Sequence, residues 1–139
     1  METVSSEGQE ELVRERLMQE RLTFRILACA IDVHRELGPG MLESAYRVCL
    51  VHRLSKEGLA VKQEVPVSIS YKGHMVDVAY RADLIVEDSI LLELKTVDAL
   101  LPIHGAQVLT YLKFLNMRVG LLLNFNAKNL MKGMRRFVL

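Results

Sequence analysis

No apolar run in this 139-residue chain approaches the ~20 residues a membrane span requires. The N-terminus, METVSSEGQEELVRER, carries both signs of charge and lacks the apolar core of a secretory signal. Cysteine is scarce: Cys29 and Cys49 sit in apolar, helix-like surroundings, with no CxxC pair and no Cys/His cluster nearby. Free thiols in a reducing cytoplasm are therefore expected ahead of a disulfide. The chain also lacks a glycine loop to cradle a phosphate and a GxSxG elbow. It has no repeats, no low-complexity tract and no internal linker. Nor is there an excess of one charge, since 18 Lys and Arg face 17 Asp and Glu for a net +1. That balance does not favour nucleic acid as a partner, although a catalytic groove needs only local positive charge.

What is present is an ordinary globular composition, 50% hydrophobic and 25% charged, in a length that supports one domain with a core. Residues 1–9 are expected to be loose and residues 10–139 to form that domain. Glu10 to Leu37 reads as a helix, with Phe24, Leu27, Ala28 and Ile31 as its apolar stripe. Gly38-Pro39-Gly40 ends it. A second helix, Met41 to Glu57, carries Leu42, Ala45, Tyr46, Cys49 and Leu50, with Gly58 as its C-cap. A strand from Val61 to Tyr71 follows, then a turn at Lys72-Gly73 and strands Val76–Val86 and Ile90–Lys95. Pro102 to Asn116 reads as a third helix, Arg118 to Phe125 as a buried strand, and Lys128 to Leu139 as a short helix and an edge strand. The expected architecture is an α/β sandwich with a mixed sheet.

The strands RADLIV and ILLELK carry the informative cluster. Period-two alternation puts Asp77, Arg81 and Asp83 on the face opposite Val76, Val78, Tyr80, Ala82, Leu84 and Val86. It likewise separates Glu93 and Lys95 from Ile90, Leu92 and Leu94. With Glu87-Asp88-Ser89 as a hairpin loop and Val86 paired to Ile90, Asp83 falls opposite Glu93, and Arg81 opposite Lys95. Like charges set opposite one another are destabilising. A divalent cation between the carboxylates relieves this, and oxygen ligands suit Mg²⁺ or Mn²⁺. A solvated hairpin face with mixed charges is the competing reading.

Three other places bear on chemistry. Glu43, in the first turn of the second helix, either caps backbone N–H groups or brings a third carboxylate to the Asp83/Glu93 face. Tyr46, one turn later, is a packing or hydrogen-bonding support. On the third helix His104, Gln107 and Tyr111 share one face, with Val108, Leu109 and Leu112 on a second, buried one. Gln107 offers an amide to a phosphate or a water. His34, near the end of the first helix, has no partner at metal-ligand spacing and reads as structural.

Gly40, Glu43 and Tyr46 in GPGMLESAY match the signature that names the GxxExxY family. The resemblance continues through VHRELGPG, YRADLIVED, ELKTVDAL, HGAQVLTYL and LLLNF, from about Ile26 to Leu139. That family is placed in the PD-(D/E)xK nuclease superfamily, whose restriction-endonuclease-like core is an αβββαβ sandwich. The resemblance implies that Glu10–Leu37 is an N-terminal addition. It implies that Asp83, here preceded by Ala82 rather than Pro, binds metal, that Glu93 and Lys95 form the ExK element, and that Glu43 supports the metal. Gln107 and Tyr111 resemble the polar positions of the following helix. The implied activity is phosphodiester hydrolysis of DNA, ahead of RNA. In it Asp83, Glu93, the Leu94 carbonyl and Glu43 hold Mg²⁺ or Mn²⁺, and Lys95 stabilises developing negative charge. The alternative is a non-catalytic nucleic-acid-binding or protein-interaction module that keeps the fold. So few added elements leave room for self-association or a partner chain.

Overall fold

Helix α1 runs from Ser6 to Leu37 in the computed structural model, which describes residues 5–76 and 80–139. It therefore starts before Glu10, within the segment expected to be loose. Ser5 caps it, its hydroxyl accepting from the Gly8 N–H at 3.1 Å. Gly38 ends it at φ 68°, a left-handed value that glycine takes without strain, and returns its N–H to the His34 carbonyl. Helix α2 spans Glu43–Lys56 and helix α3 Pro102–Leu115, the latter closed by Asn116 in the left-handed region.

The main sheet has the order β1-β4-β5-β6-β7: Val61–Pro66, Arg81–Val86, Ile90–Lys95, Val119–Asn124 and Met134–Val138. Only β5 and β6 pair in parallel, joined through α3, so the sheet is mixed as expected. The tail supplies a 3₁₀ turn, Leu130–Gly133, and the edge strand β7. The segment expected as one strand to Tyr71 breaks after Pro66. Ile69–Tyr71 (β2) instead pairs with His74–Val76 (β3) as a separate hairpin, turning at Lys72-Gly73. Val76 therefore belongs to β3 and not to β4. Asp77, Val78 and Ala79, expected in that same strand, lie outside the described residues.

Helices cover both faces of the sheet. Ile26, Cys29, Ala30 and Val33 of α1, with Tyr46, Leu50 and Leu54 of α2, pack on Leu84, Ile90, Leu92, Leu121 and Phe125. Val108, Tyr111 and Leu112 of α3 pack on Ile85, Leu91 and Leu122. Each such large side chain contributes about 1.5–3 kcal/mol when fully buried. Gly105 and Gly120 let α3 lie close: a Cβ on Gly105 would meet the Phe137 ring at 2.7 Å, and one on Gly120 would meet Val108 at 2.8 Å.

Several expected faces are rotated. The buried stripe of α1 runs through Thr23, Ile26, Ala30 and Val33, while Phe24 is 78% exposed and Ala28 is exposed. Both stripes have helical spacing; the one with small Cys29 and Ala30 allows the closer approach. Leu109 is partly exposed, and Tyr111 takes its place in the core. Ala82 packs with the α3-side core while Leu84 packs with the other, so alternation breaks at Asp83. The face expected to be polar is apolar along most of its length, because Ile85 and Leu91 pack under α3. Only the end of the hairpin near Asp83 keeps polar groups on it.

Candidate active site

The β4–β5 hairpin is built by a tight turn in which Glu87 and Asp88 both have positive φ, 52° and 50°, and the Ser89 N–H returns to the Val86 carbonyl at 3.0 Å. Val86 pairs with Ile90, Ile85 with Leu91 and Leu84 with Leu92. The same count sets Asp83 opposite Glu93, and here side chains replace the ladder. The Asp83 N–H donates to Glu93 Oε1 at 2.9 Å, and the Leu94 N–H donates to Asp83 Oδ2 at 2.8 Å. Each carboxylate is thus anchored through one oxygen by the opposite strand. Arg81 does not reach across to Lys95; its guanidinium donates to the Glu64 carbonyl at 3.4 Å.

These acids are held where water is scarce. Glu93 is only 4% exposed, and burial, then the charge of Asp83, push its carboxyl up to about 8. Asp83 is raised by burial too, against the opposing pull of the Leu94 N–H, Lys95 and Arg47. Glu43 is raised by burial and by Asp83, and lowered by Lys95 and Arg47. Lys95 is half-buried and acts on all three carboxylates. Lys95 and Arg47 set two cations against three acids, which leaves the cluster short of positive charge.

Glu43 is the first residue of α2, and the helix has no side-chain cap, so Glu43 is not spent on capping. Tyr46 positions it. The Tyr46 hydroxyl donates to the Gly38 carbonyl and accepts from the Met41 N–H at 3.2 Å, while its ring stacks on Phe125. Gln107 Nε2 donates to the Tyr111 hydroxyl at 2.9 Å. Burial raises that hydroxyl, with smaller contributions from Glu93 and Asp83, which places it at the edge of the cluster. His104 stands apart from its helix-face partners in role, because its Nδ1 accepts from the Leu101 N–H at 2.9 Å and so caps α3. His34 bonds the Ala127 carbonyl at 2.7 Å, a structural use. Both cysteines are free thiols.

Two supports were not singled out from the sequence. Arg47 lies four residues after Glu43 on the same helix, the spacing at which side chains meet, and its charge acts on both Glu43 and Asp83. Asn124, 3% exposed, sits beside Lys95 in the parallel pair of β5 and β6. Its amide binds both the N–H and the carbonyl of Val97, at 3.1 and 2.8 Å, which ties down the chain just after Lys95. Nothing in the apolar run of β6 distinguishes that asparagine beforehand.

The donor set fits a hard divalent cation. It offers the buried carboxylate of Glu93 and the half-buried one of Asp83, each with one oxygen outside these hydrogen bonds, and the carbonyl of Leu94 between acid and lysine. Among the described residues no three His, Cys, Asp or Glu groups converge closely enough to hold one ion. A cleft of about 840 Å³, lined by residues such as Arg21, Arg25, Asp88 and Arg118, lies at the turn end of the hairpin, away from this cluster.

A mixed sheet between helical layers, with two acids and a lysine at one strand end, defines a restriction-endonuclease-like α/β fold. A family model described as the PD-(D/E)XK nuclease superfamily matches residues 20–137, and the chain belongs to that superfamily. No curated protein and no solved structure gives a match. No helix among the described residues is long and apolar enough to cross a membrane.

Proposed function

We propose that this protein is a Mg²⁺- or Mn²⁺-dependent nuclease that hydrolyses phosphodiester bonds of DNA in the cytoplasm. The observation that carries this reading is the reciprocal anchoring of Asp83 and Glu93, a half-buried and a buried acid fixed side by side with fewer cations than acids around them. When bound there, a divalent cation supplies polarisation of the phosphate and acidification of a water. Asp83 and Glu93 hold it, with the Leu94 carbonyl. Glu43, raised by burial and by Asp83, orients the attacking water and takes its proton. The water oxygen bonds to phosphorus, the opposite P–O bond breaks, and the leaving oxygen takes a proton from solvent. Lys95 and Arg47 face the negative charge that builds on the phosphoryl oxygens. Gln107, held by Tyr111, contacts the substrate strand beside the scissile phosphate. The near-neutral net charge limits the electrostatic contribution to affinity, so self-association or a partner chain is expected to extend the binding surface.

The test is cleavage of single-stranded, duplex and branched DNA in Mg²⁺ or Mn²⁺ by wild type, Asp83→Ala and Lys95→Ala. Each substitution is expected to lower the rate by roughly 10²–10³-fold or more. Equal traces of cleavage in all three proteins would mark contamination and leave a binding module that keeps the fold.

A further inference from the structure

A cleft of about 340 Å³ opens between β2 and α3, and its walls include Ile69, Tyr80, Ile103, His104, Gln107 and Tyr111. Among the described residues no Lys, Arg, Asp or Glu lines it. Tyr80 and Tyr111 meet edge to face, with ring centroids 6.2 Å apart and 60° between their planes. Tyr111 is buried, whereas Tyr80 is 44% exposed and Ile103 67% exposed, so an aromatic ring and a branched apolar side chain stand open to solvent. The cleft lies toward the acid cluster, since Tyr80 in its wall is three residues before Asp83 and Tyr111 packs in the same core as Ala82.

A space of this kind disfavours a phosphate: its walls are mostly apolar, and among the described residues no Lys or Arg lines it. It suits a flat, uncharged aromatic group with a polar edge. Gln107 has a carbonyl oxygen and two N–H donors, of which one goes to Tyr111, so an acceptor and a donor remain for such an edge. We propose that the cleft receives one unpaired nucleobase from the strand whose phosphodiester lies over Asp83 and Glu93. Tyr80 provides the stacking surface and Gln107 meets the base edge. A base within a duplex is already stacked on its neighbours, so the substrate class is a single strand or a frayed or branched end. The placement of the phosphodiester rests on the nuclease reading above; the base pocket itself is testable without cleavage.

Fluorescence anisotropy in EDTA measures the binding of a short single-stranded oligonucleotide, beside the same chain made abasic throughout. DNA and RNA versions separate the two sources of the base. The intact strand is expected to bind about tenfold more tightly than the abasic one, within the ~1–3 kcal/mol that stacking one base on an aromatic contributes. Tyr80→Ala is expected to erase the difference and Tyr80→Phe to keep it, with urea midpoints confirming that both variants fold. Equal binding of intact and abasic strands, wild-type discrimination by Tyr80→Ala, or no binding of either strand would each overturn the pocket. Base-dependent binding without any cleavage in Mg²⁺ would instead keep the pocket and sink the nuclease reading.

Discussion

Tyr46 and Phe125 stack with ring centroids 4.7 Å apart and 21° between their planes, which ties the start of α2 to the residue just past β6. The Tyr46 hydroxyl then holds the Gly38–Met41 loop from below. Glu43 thus stands on a fully buried aromatic support and not on a free helix end.

Removing only the hydroxyl separates the two functions of that support. Tyr46→Phe keeps the stack and leaves the Gly38 carbonyl and Met41 N–H without their partner, a loss of about 1–3 kcal/mol. Cleavage, measured where the variant is fully folded, is expected to fall by more than its urea midpoint implies. Unchanged turnover would show that the loop does not position Glu43.

Glu93 makes stability depend on pH in an unusual direction. Its carboxyl titrates near 4.5 when unfolded and is raised to about 8 in the fold. Between those values the folded state holds the extra proton, so stability falls as pH rises from about 4.5 to about 8 and then levels. Metal-free wild type is expected to lose melting temperature across that window. Glu93→Gln, which stays neutral, should flatten the slope; a slope unchanged in the variant would assign it elsewhere.

The same proton competes with a cation. Below about 8, binding at Asp83 and Glu93 must release it, so affinity should drop by up to tenfold for each pH unit. Titrating Mn²⁺ while following melting temperature is expected to stabilise the protein strongly at high pH and weakly at low pH. Asp83→Ala should abolish the stabilisation at every pH. A cation effect that survives this substitution would place the ion at another site.

Two α1 substitutions test which stripe carries the core. Ile26→Ala, at a position with no exposed surface, is expected to cost about 2–5 kcal/mol. Phe24→Ser, at 78% exposure, should stay within about 0.5 kcal/mol. Urea unfolding of both decides it, and the reverse order would return the core to the Phe24 face.

The central hairpin was readable because three constraints agree on it: the turn, the apolar alternation, and the need to keep Glu93 out of the core formed by Leu92 and Leu94. Together they set Val86 against Ile90 and Asp83 against Glu93. Phe24 misled because α1 offers two apolar stripes of equal spacing, and only the shape of α2 and the sheet chooses between them. The break after Pro66 depends on a tertiary preference, β1 pairing with β4 while β2 folds back on β3. Ala82 changes core at Asp83 because the carboxylates displace the ladder there, which no period-two count contains. Arg47 was within reach of helix spacing from Glu43, whereas Asn124 acts through the backbone of Val97 and leaves no pattern in sequence.

The hairpin has a consequence for the order in which the chain folds. Asp83 and Glu93 meet across a separation of only ten residues, through a turn that closes locally. Such hairpins form in about 1–10 μs, before distant segments assemble. On that timescale the two acids are expected to come together in water, where their repulsion is screened, and to lose that screening when α2 and α3 close over the sheet. The site's electrostatic strain is acquired at the last docking step, so it weighs on the rate of unfolding more than on the encounter that builds the hairpin.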